Sequence, residues 1–183
     1  GWCWDSPTPQ GNPFLSVWAV SASNVWAVGP NGLTAQWNWK SWTFHPPSTD
    51  NTLLDIWGSP NGDLWSVTDD AILQWEAGAW VERLSGLKQL QTIYGTDASQ
   101  IWVSGADAFH RWDGKTWWTE PRTTVAYSAM SGCGPHNVWL VRTEASGPGE
   151  SPEWVGGPSY IEHWDGRAWT THQTGMTGVW TVS

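Results

Sequence analysis

The sequence predicts an all-β fold, a β-propeller with four complete four-stranded blades and partial strands at both termini. Three observations carry this expectation. A Trp-x4-Trp pattern occurs four times, at Trp37/Trp42, Trp75/Trp80, Trp112/Trp117 and Trp164/Trp169. Upstream of each lies another tryptophan, Trp26, Trp65, Trp102 or Trp139, at intervals of 39, 37 and 37 residues. No stretch of useful length shows the 3.6-residue apolar period of a helix. Repeats of about 40 residues, each built of short strands with aromatics at fixed places, are the pattern of propeller blades. Burial explains the pattern: one twisted sheet has two apolar faces and cannot cover both alone. Packing blades face to face around an axis covers them, and large flat side chains fill the wedge between twisted sheets. A sandwich or barrel also has many short strands, but does not demand an aromatic grid at this spacing.

Within each repeat the strands are labelled A to D. Strand A carries Trp18, Trp57, Tyr94 and Met130 in the successive repeats. Turn formers follow, such as Ser59-Pro60-Asn61-Gly62 and Gly134-Pro135-His136-Asn137. Strand B opens with Asn24-Val25-Trp26, Asp63-Leu64-Trp65, Gln100-Ile101-Trp102 and Asn137-Val138-Trp139. Strands C and D form the Trp-x4-Trp hairpin. Asp165-Gly166 reads as the centre of a type I′ turn, which needs positive φ at both residues. Asp113-Gly114 repeats the signal, and Asn38 takes the Asp place in the first repeat. The repeats run from about 15 to 51, 53 to 90, 91 to 125 and 126 to 176. The fourth is longer because Glu144–Gly157, rich in Gly, Pro and Glu, is inserted as an exposed loop between its B and C strands.

Residues 2–14 read as a D strand and its onward connection, from a blade before the first repeat. Val179-Trp180-Thr181-Val182-Ser183 matches Val17–Ser21 and reads as an A strand opening a blade after the fourth. Residues 1–183 are thus one propeller domain or a propeller segment. A blade shared between the termini would lack its B and C strands. They come either from a longer chain or from another copy. The abrupt start inside a Trp-rich strand reads as a mature product or an excised piece.

Composition narrows the function. The net charge is −9, with only eight Lys and Arg, scattered along the chain. Binding a nucleic-acid backbone by counterion release needs a basic stripe, so nucleic acid is excluded as a partner. No apolar run approaches a membrane span, and no signal peptide is visible. The two cysteines, Cys3 and Cys133, have no metal-ligand spacing. They are two buried thiols or one disulfide of a secreted protein. Both fall on the same face if the terminal strands share a blade beside the fourth repeat. A Cys3–Cys133 bond would then close a loop of about 130 residues.

Sixteen of the twenty tryptophans sit on the grid and are read as inter-blade packing. Four lie off it: Trp4, Trp39, Trp118 and Trp154. Exposed aromatic surface on a β protein suggests sugar stacking or a protein contact, so these four are the candidate ligand-binding residues, set against the plainer reading of cover for an edge strand. Catalysis finds little support. The histidines form no metal-binding set, and the arginines share no place in the repeat. Tyr94, Tyr127 and Tyr160 have no evident base. Asp69-Asp70, the one adjacent acidic pair, is a candidate calcium site but reads first as a solvated B–C turn. No cofactor is expected.

The motif Val25-Trp26-Ala27-Val28-Gly29, weaker at Ile101–Gly105, followed by Trp-Asp-Gly-x-x-Trp, resembles tryptophan-rich propeller repeats of large secreted or surface proteins, as in myxobacteria. It is similar, more distantly, to photosystem II assembly-factor-like propellers. The resemblance covers nearly the whole chain and implies a propeller in a secreted or cell-surface protein, with no defined activity. Lectin propellers also carry Trp-rich repeats and enter only by analogy. The expected function is an extracellular, non-catalytic binding or adhesion module with a glycan or surface-protein partner, and carbohydrate is the first ligand class. The second reading is a structural subunit of a self-assembling polymer, a homo-oligomer joined through the incomplete terminal blade. The third is a hydrolase-type propeller.

Overall fold

The computed structural model describes residues 13–106, 108–121, 125–144 and 159–174. Sixteen strands form four antiparallel sheets of four, each in simple meander order. The first blade holds β1 (Ser16–Ser21), β2 (Asn24–Val28), β3 (Thr34–Trp37) and β4 (Trp42–His45). The second holds β5 (Asp55–Gly58), β6 (Leu64–Val67), β7 (Ala71–Glu76) and β8 (Ala79–Ser85). The third holds β9 (Thr92–Asp97), β10 (Gln100–Ser104), β11 (Ala108–Trp112) and β12 (Trp117–Pro121). The fourth holds β13 (Val125–Gly132), β14 (Val138–Glu144), β15 (Ser159–Trp164) and β16 (Trp169–Thr174). A single 3-10 turn, Pro30–Gly32, is the one helical element among the described residues. No helix there is long and apolar enough to cross a membrane. The fold is a β-propeller. Both terminal strands expected from the sequence, and the Glu144–Gly157 insert apart from its first residue, lie outside the described residues.

The first strands of successive blades lie side by side, β1 on β5, β5 on β9 and β9 on β13, so they are the inner strands. An aromatic–glycine rung joins each pair. The Trp18 ring lies over Gly58, Trp57 over Gly95 and Tyr94 over Gly132; an added Cβ would stand 3.0, 2.6 and 3.2 Å from the respective rings. Glycine lets the next blade's backbone approach the ring face. The outer strands supply a second layer of contact. Trp80 is 5% exposed and donates its Nε1–H to Thr34 Oγ1 of the first blade at 2.9 Å. Trp117 meets Trp65 of the second blade edge-on at 5.9 Å, and Trp169 meets Phe109 of the third at 5.3 Å.

Two cores result. One lies between the first and second blades, around Trp26, Val28, Ile56, Leu64, Leu73 and Trp80. The larger runs through the second to fourth blades, around Trp57, Trp65, Ile72, Trp102, Phe109 and Leu140.

The hairpins correct one expectation. Trp112 pairs with Trp117 and Trp164 with Trp169, so these loops have four residues, not two. Only the glycines take positive φ, +89° at Gly114 and +95° at Gly166. The carboxylate sets this turn. Asp113 Oδ1 accepts the backbone N–H groups of Lys115 and Thr116 at 2.9 and 2.8 Å, and Asp165 Oδ1 those of Arg167 and Ala168 at 2.8 and 2.9 Å. The Trp118 indole bond first, and then these backbone bonds, hold Asp113 at about 2, and the backbone bonds hold Asp165 below its ordinary value. The two-residue turn with both φ values positive is Ala77-Gly78, in the hairpin where Glu76 stands in the Asp place and pairs with Arg83 instead of the turn backbone.

In the first blade Asn38 plays the part of the Asp, accepting from Lys40 and Ser41 at 3.1 and 3.0 Å. Trp39 then occupies the glycine place with φ of +78°. A bulky side chain there is strained, and the left-handed region costs an ordinary L-residue about 1–2 kcal/mol. Trp39→Gly is therefore expected to raise stability by about 1 kcal/mol, read as an increased urea midpoint. An unchanged or lowered midpoint would show that the Trp39 ring contributes packing that offsets the strain.

Candidate functional site

Of the four off-grid tryptophans, Trp39 and Trp118 are described, and Trp4 and Trp154 lie outside the described residues. Trp39 is 61% exposed in the β3–β4 turn, and Trp118 is 58% exposed on β12. Trp118 faces away from its neighbour Trp117, as the two-residue strand period requires, and its Nε1–H donates to Asp113 Oδ2 at 2.8 Å. These two side chains sit on the first and third blades and do not form one site.

Besides Trp39, five of the eight exposed large hydrophobic side chains among the described residues gather on the first blade. Phe14, Leu15, Val17, Trp42 and Phe44 are all exposed, and Phe14 stacks on both Trp42 and Phe44 at 6.4 Å. Register explains the grouping. Val17, Ala27, Ala35 and Phe44 form one cross-strand row on the face turned away from the second blade, and Val25, Trp37 and Trp42 belong to the next row. Val17 is 62% exposed, while Ile56 and Ile93, its counterparts in the next two blades, are 2% and 4% exposed. The first blade thus presents a face that the other blades bury against their predecessor.

A recess of about 380 Å3 opens where the inner strands end, at the turns into the second strands. Trp18, Trp57, Tyr94, Gly58, Gly95 and Cys133 are among its walls, and no lining side chain is charged. The three aromatics are those of the glycine rungs, so the wall is rigid. The Trp18 Nε1 atom is buried and has no hydrogen-bond partner among the described residues. Tyr94 donates its hydroxyl to Gly132 O at 2.6 Å, and burial raises its pKa, with a smaller contribution from Cys133. Cys133 is exposed, with its Sγ met by Asn137 Nδ2 at 2.8 Å, an amide donor rather than a base. Cys3 lies outside the described residues.

At the opposite end of the inner strands, Asp55 joins three blades. Its Oδ1 accepts Ser16 Oγ–H at 2.6 Å and its own neighbour Ile56 N–H at 3.0 Å, and its Oδ2 accepts Ile93 N–H at 2.9 Å. Burial raises its pKa against the lowering effect of these bonds. Gln91 Oε1 continues the line by accepting Tyr127 N–H of the fourth blade at 2.8 Å.

Asp70 Oδ1 accepts the Thr68 hydroxyl at 3.0 Å, and both Asp69 and Asp70 also act through their backbone. The carbonyl of Asp69 accepts Leu90 N–H and that of Asp70 accepts Leu87 N–H, tying down the β8–β9 connection. Among the described residues no three His, Cys, Asp or Glu side chains come together as a metal site. His163 stacks on Trp139 at 4.0 Å and meets Asn137 Oδ1 through Nε2 at 2.9 Å, and His110 is buried against Thr119.

No sequence family and no curated protein matches this chain. Solved structures do. It is similar to a structure described as YCF48 bound to D1 peptide, with a TM-score of 0.60 and 16% identity over 91% of this chain and 54% of that one. It is also similar to YCF48 from Cyanidioschyzon merolae, with a TM-score of 0.64 and 13% identity over 93% of this chain and 59% of that one. The chain therefore spans a little over half the length of the structures it matches. Identities this low speak for the fold: the chain shares the propeller architecture of YCF48, in line with the distant resemblance seen in the repeats.

Proposed function

We propose that this chain is a non-catalytic binding module that receives an extended segment of another protein in the recess at the inner-strand ends. The observation that carries the reading is the Trp18 indole N–H, buried without a partner in a rigid, uncharged, aromatic wall. A buried donor left unpaired is costly, and a peptide carbonyl is a matching acceptor. Neutral aromatic walls suit the apolar side chains beside it. YCF48 bound to D1 peptide, a propeller with a peptide ligand, supports the same class of partner. A secreted or cell-surface setting is part of the proposal and follows from the repeat resemblance.

The test is an array of extended neutral peptides, with hits measured by calorimetry. Trp18→Phe keeps a ring and removes the donor, so hits are expected to bind about 3–10-fold more weakly, the worth of one neutral hydrogen bond. Absence of any hit, or equal binding by the variant, would remove the reading.

Self-assembly is a second reading, favoured by the outward face of the first blade. Trp42 on that face is 44% exposed where its counterpart Trp80 is 5% exposed. The occupant proposed is the fourth blade of a second copy, because the chain makes this front-to-back contact three times internally. Light scattering on the wild type and on Val17→Asp/Phe44→Asp decides it. A monomer at all concentrations overturns this reading, and so does an assembly unchanged by the charges.

A further inference from the structure

We propose that the gap between the second and third blades is a separate small-molecule site, for a neutral polyhydroxylated ring of pyranose size. It stands apart from the inner-strand recess and does not depend on a protein partner. The gap holds a recess of about 360 Å3, within the roughly 300–1,000 Å3 of small-molecule sites. Trp65, Trp112 and Trp117 wall it on the apolar side, and Asp63, Gln74 and Arg83 supply its polar groups. The rings of Trp65 and Trp112 lie 6.2 Å apart, those of Trp65 and Trp117 5.9 Å, and those of Trp112 and Trp117 5.4 Å.

Two of these indoles hold unpartnered buried donors. Trp65 is 4% exposed, and neither its Nε1 nor that of Trp117 has a hydrogen-bond partner among the described residues. The neighbouring gap is an internal control. Between the first and second blades, Trp26 occupies the place of Trp65, and its Nε1–H donates to Asn24 Oδ1 at 2.8 Å. Trp80 occupies the place of Trp117, and its Nε1–H donates to Thr34 Oγ1 at 2.9 Å. There the His45 ring also lies against Trp26 and Trp75, at 5.2 and 5.1 Å.

In the second gap every one of these partners has been replaced. Asp63 stands in the Asn24 place, and its Oδ2 is taken by Ser59 Oγ at 3.1 Å. Ile72 stands in the Thr34 place and offers no acceptor. With both acceptors exchanged at this one gap, the Trp65 and Trp117 donors are left for an acceptor from outside the chain.

The chemistry of the walls selects the ligand. Arg83 donates its Nε–H to Gln74 Oε1 at 2.9 Å and pairs with Glu76, which leaves the Gln74 amide nitrogen to donate. Indole and amide donors ask for acceptor oxygens. Asp63 beside them repels an anion and accepts from a hydroxyl. Three indoles offer flat apolar faces for C–H groups. A ring with hydroxyls at its edge and C–H on its faces satisfies all three conditions. A carboxylate meets only the first.

The experiment titrates the 15N-labelled full chain with the methyl α-pyranosides of glucose, galactose, mannose and xylose, following indole N–H resonances. Trp65→Phe and Trp117→Phe assign the two signals. Saturable shifts confined to Trp65, Trp112 and Trp117 are expected with at least one probe. Gln74→Ala/Arg83→Ala, both at the mouth, should weaken that probe by about tenfold or more while leaving the other indole resonances in place. Three results would overturn the site: no shift at tens of millimolar of any glycoside, equal shifts in the double variant, or shifts produced by sodium acetate alone.

Discussion

Trp57→Ala is expected to cost about 3–5 kcal/mol, the range for deleting a buried large aromatic, and Trp65→Ala a comparable amount. Trp57 is 1% exposed and belongs to the larger core. Its ring packs against Trp18 at 6.2 Å on one side and lies over Gly95 on the other. The deletion therefore opens a cavity that faces both neighbouring blades. Collapse around it is limited, because Gly95 has no side chain to move in and Trp18 is held over Gly58. Trp39→Ala is the matched control, since Trp39 is exposed and makes no core contact. Urea denaturation of the variants checks the pair. Equal losses for Trp57→Ala and Trp39→Ala would show that the tryptophan grid is not the main stabilising element.

This contrast also marks how far the sequence could be read. Grid tryptophans announced themselves because inter-blade packing is a nearest-neighbour interaction repeated at fixed intervals. Any residue serving it must recur. The same logic hides whatever occurs once. The recess between the second and third blades takes Asp63, Gln74 and Arg83 from one repeat and Trp112 and Trp117 from the next. Nothing in linear order joins them. A trace was present in the B-strand openings, where Asn24 and Asn137 take indole N–H groups and Asp63 does not. Reading it required knowing which atoms face the gap. The turn type is hidden for a related reason. Backbone preference alone reads Asp-Gly as a two-residue turn, whereas the Asp113 and Asp165 side chains bond the following backbone and widen the loop to four residues. Trp39 could be placed in its turn, but its positive φ emerges only once Asn38 is seen to impose the same turn on a residue that is not glycine.

Asp55 left no repeat signal at all, and it gives the second large effect. Asp55→Ala is expected to cost about 2–6 kcal/mol at neutral pH, because each buried donor left unpaired costs about 1–3 kcal/mol. Two donors from neighbouring blades depend on it, Ser16 Oγ–H and Ile93 N–H. Asp55→Asn keeps one acceptor oxygen but turns an amide N–H toward one of these donors, so it should fall between wild type and alanine. The pH dependence separates the clamp from simple packing. Burial raises the Asp55 pKa in the folded chain above its unfolded value. The folded state therefore binds this proton more tightly than the unfolded state does. Its contribution is fully present below the unfolded carboxyl pKa and declines as pH rises through the raised folded value. The exposed Asp113 and Asp165 have lowered values and act with the opposite sign, their contribution fading as pH falls. Those two carboxylates are common to wild type and variant and cancel in the difference. Urea unfolding of both chains from acid to neutral pH should thus show the wild-type advantage over Asp55→Asn largest at the acid end and shrinking as the folded carboxyl ionises. A difference that grows with pH would mean that the three hydrogen bonds outweigh burial and hold the folded Asp55 carboxyl below its unfolded value, and a constant difference would mean that the two effects cancel.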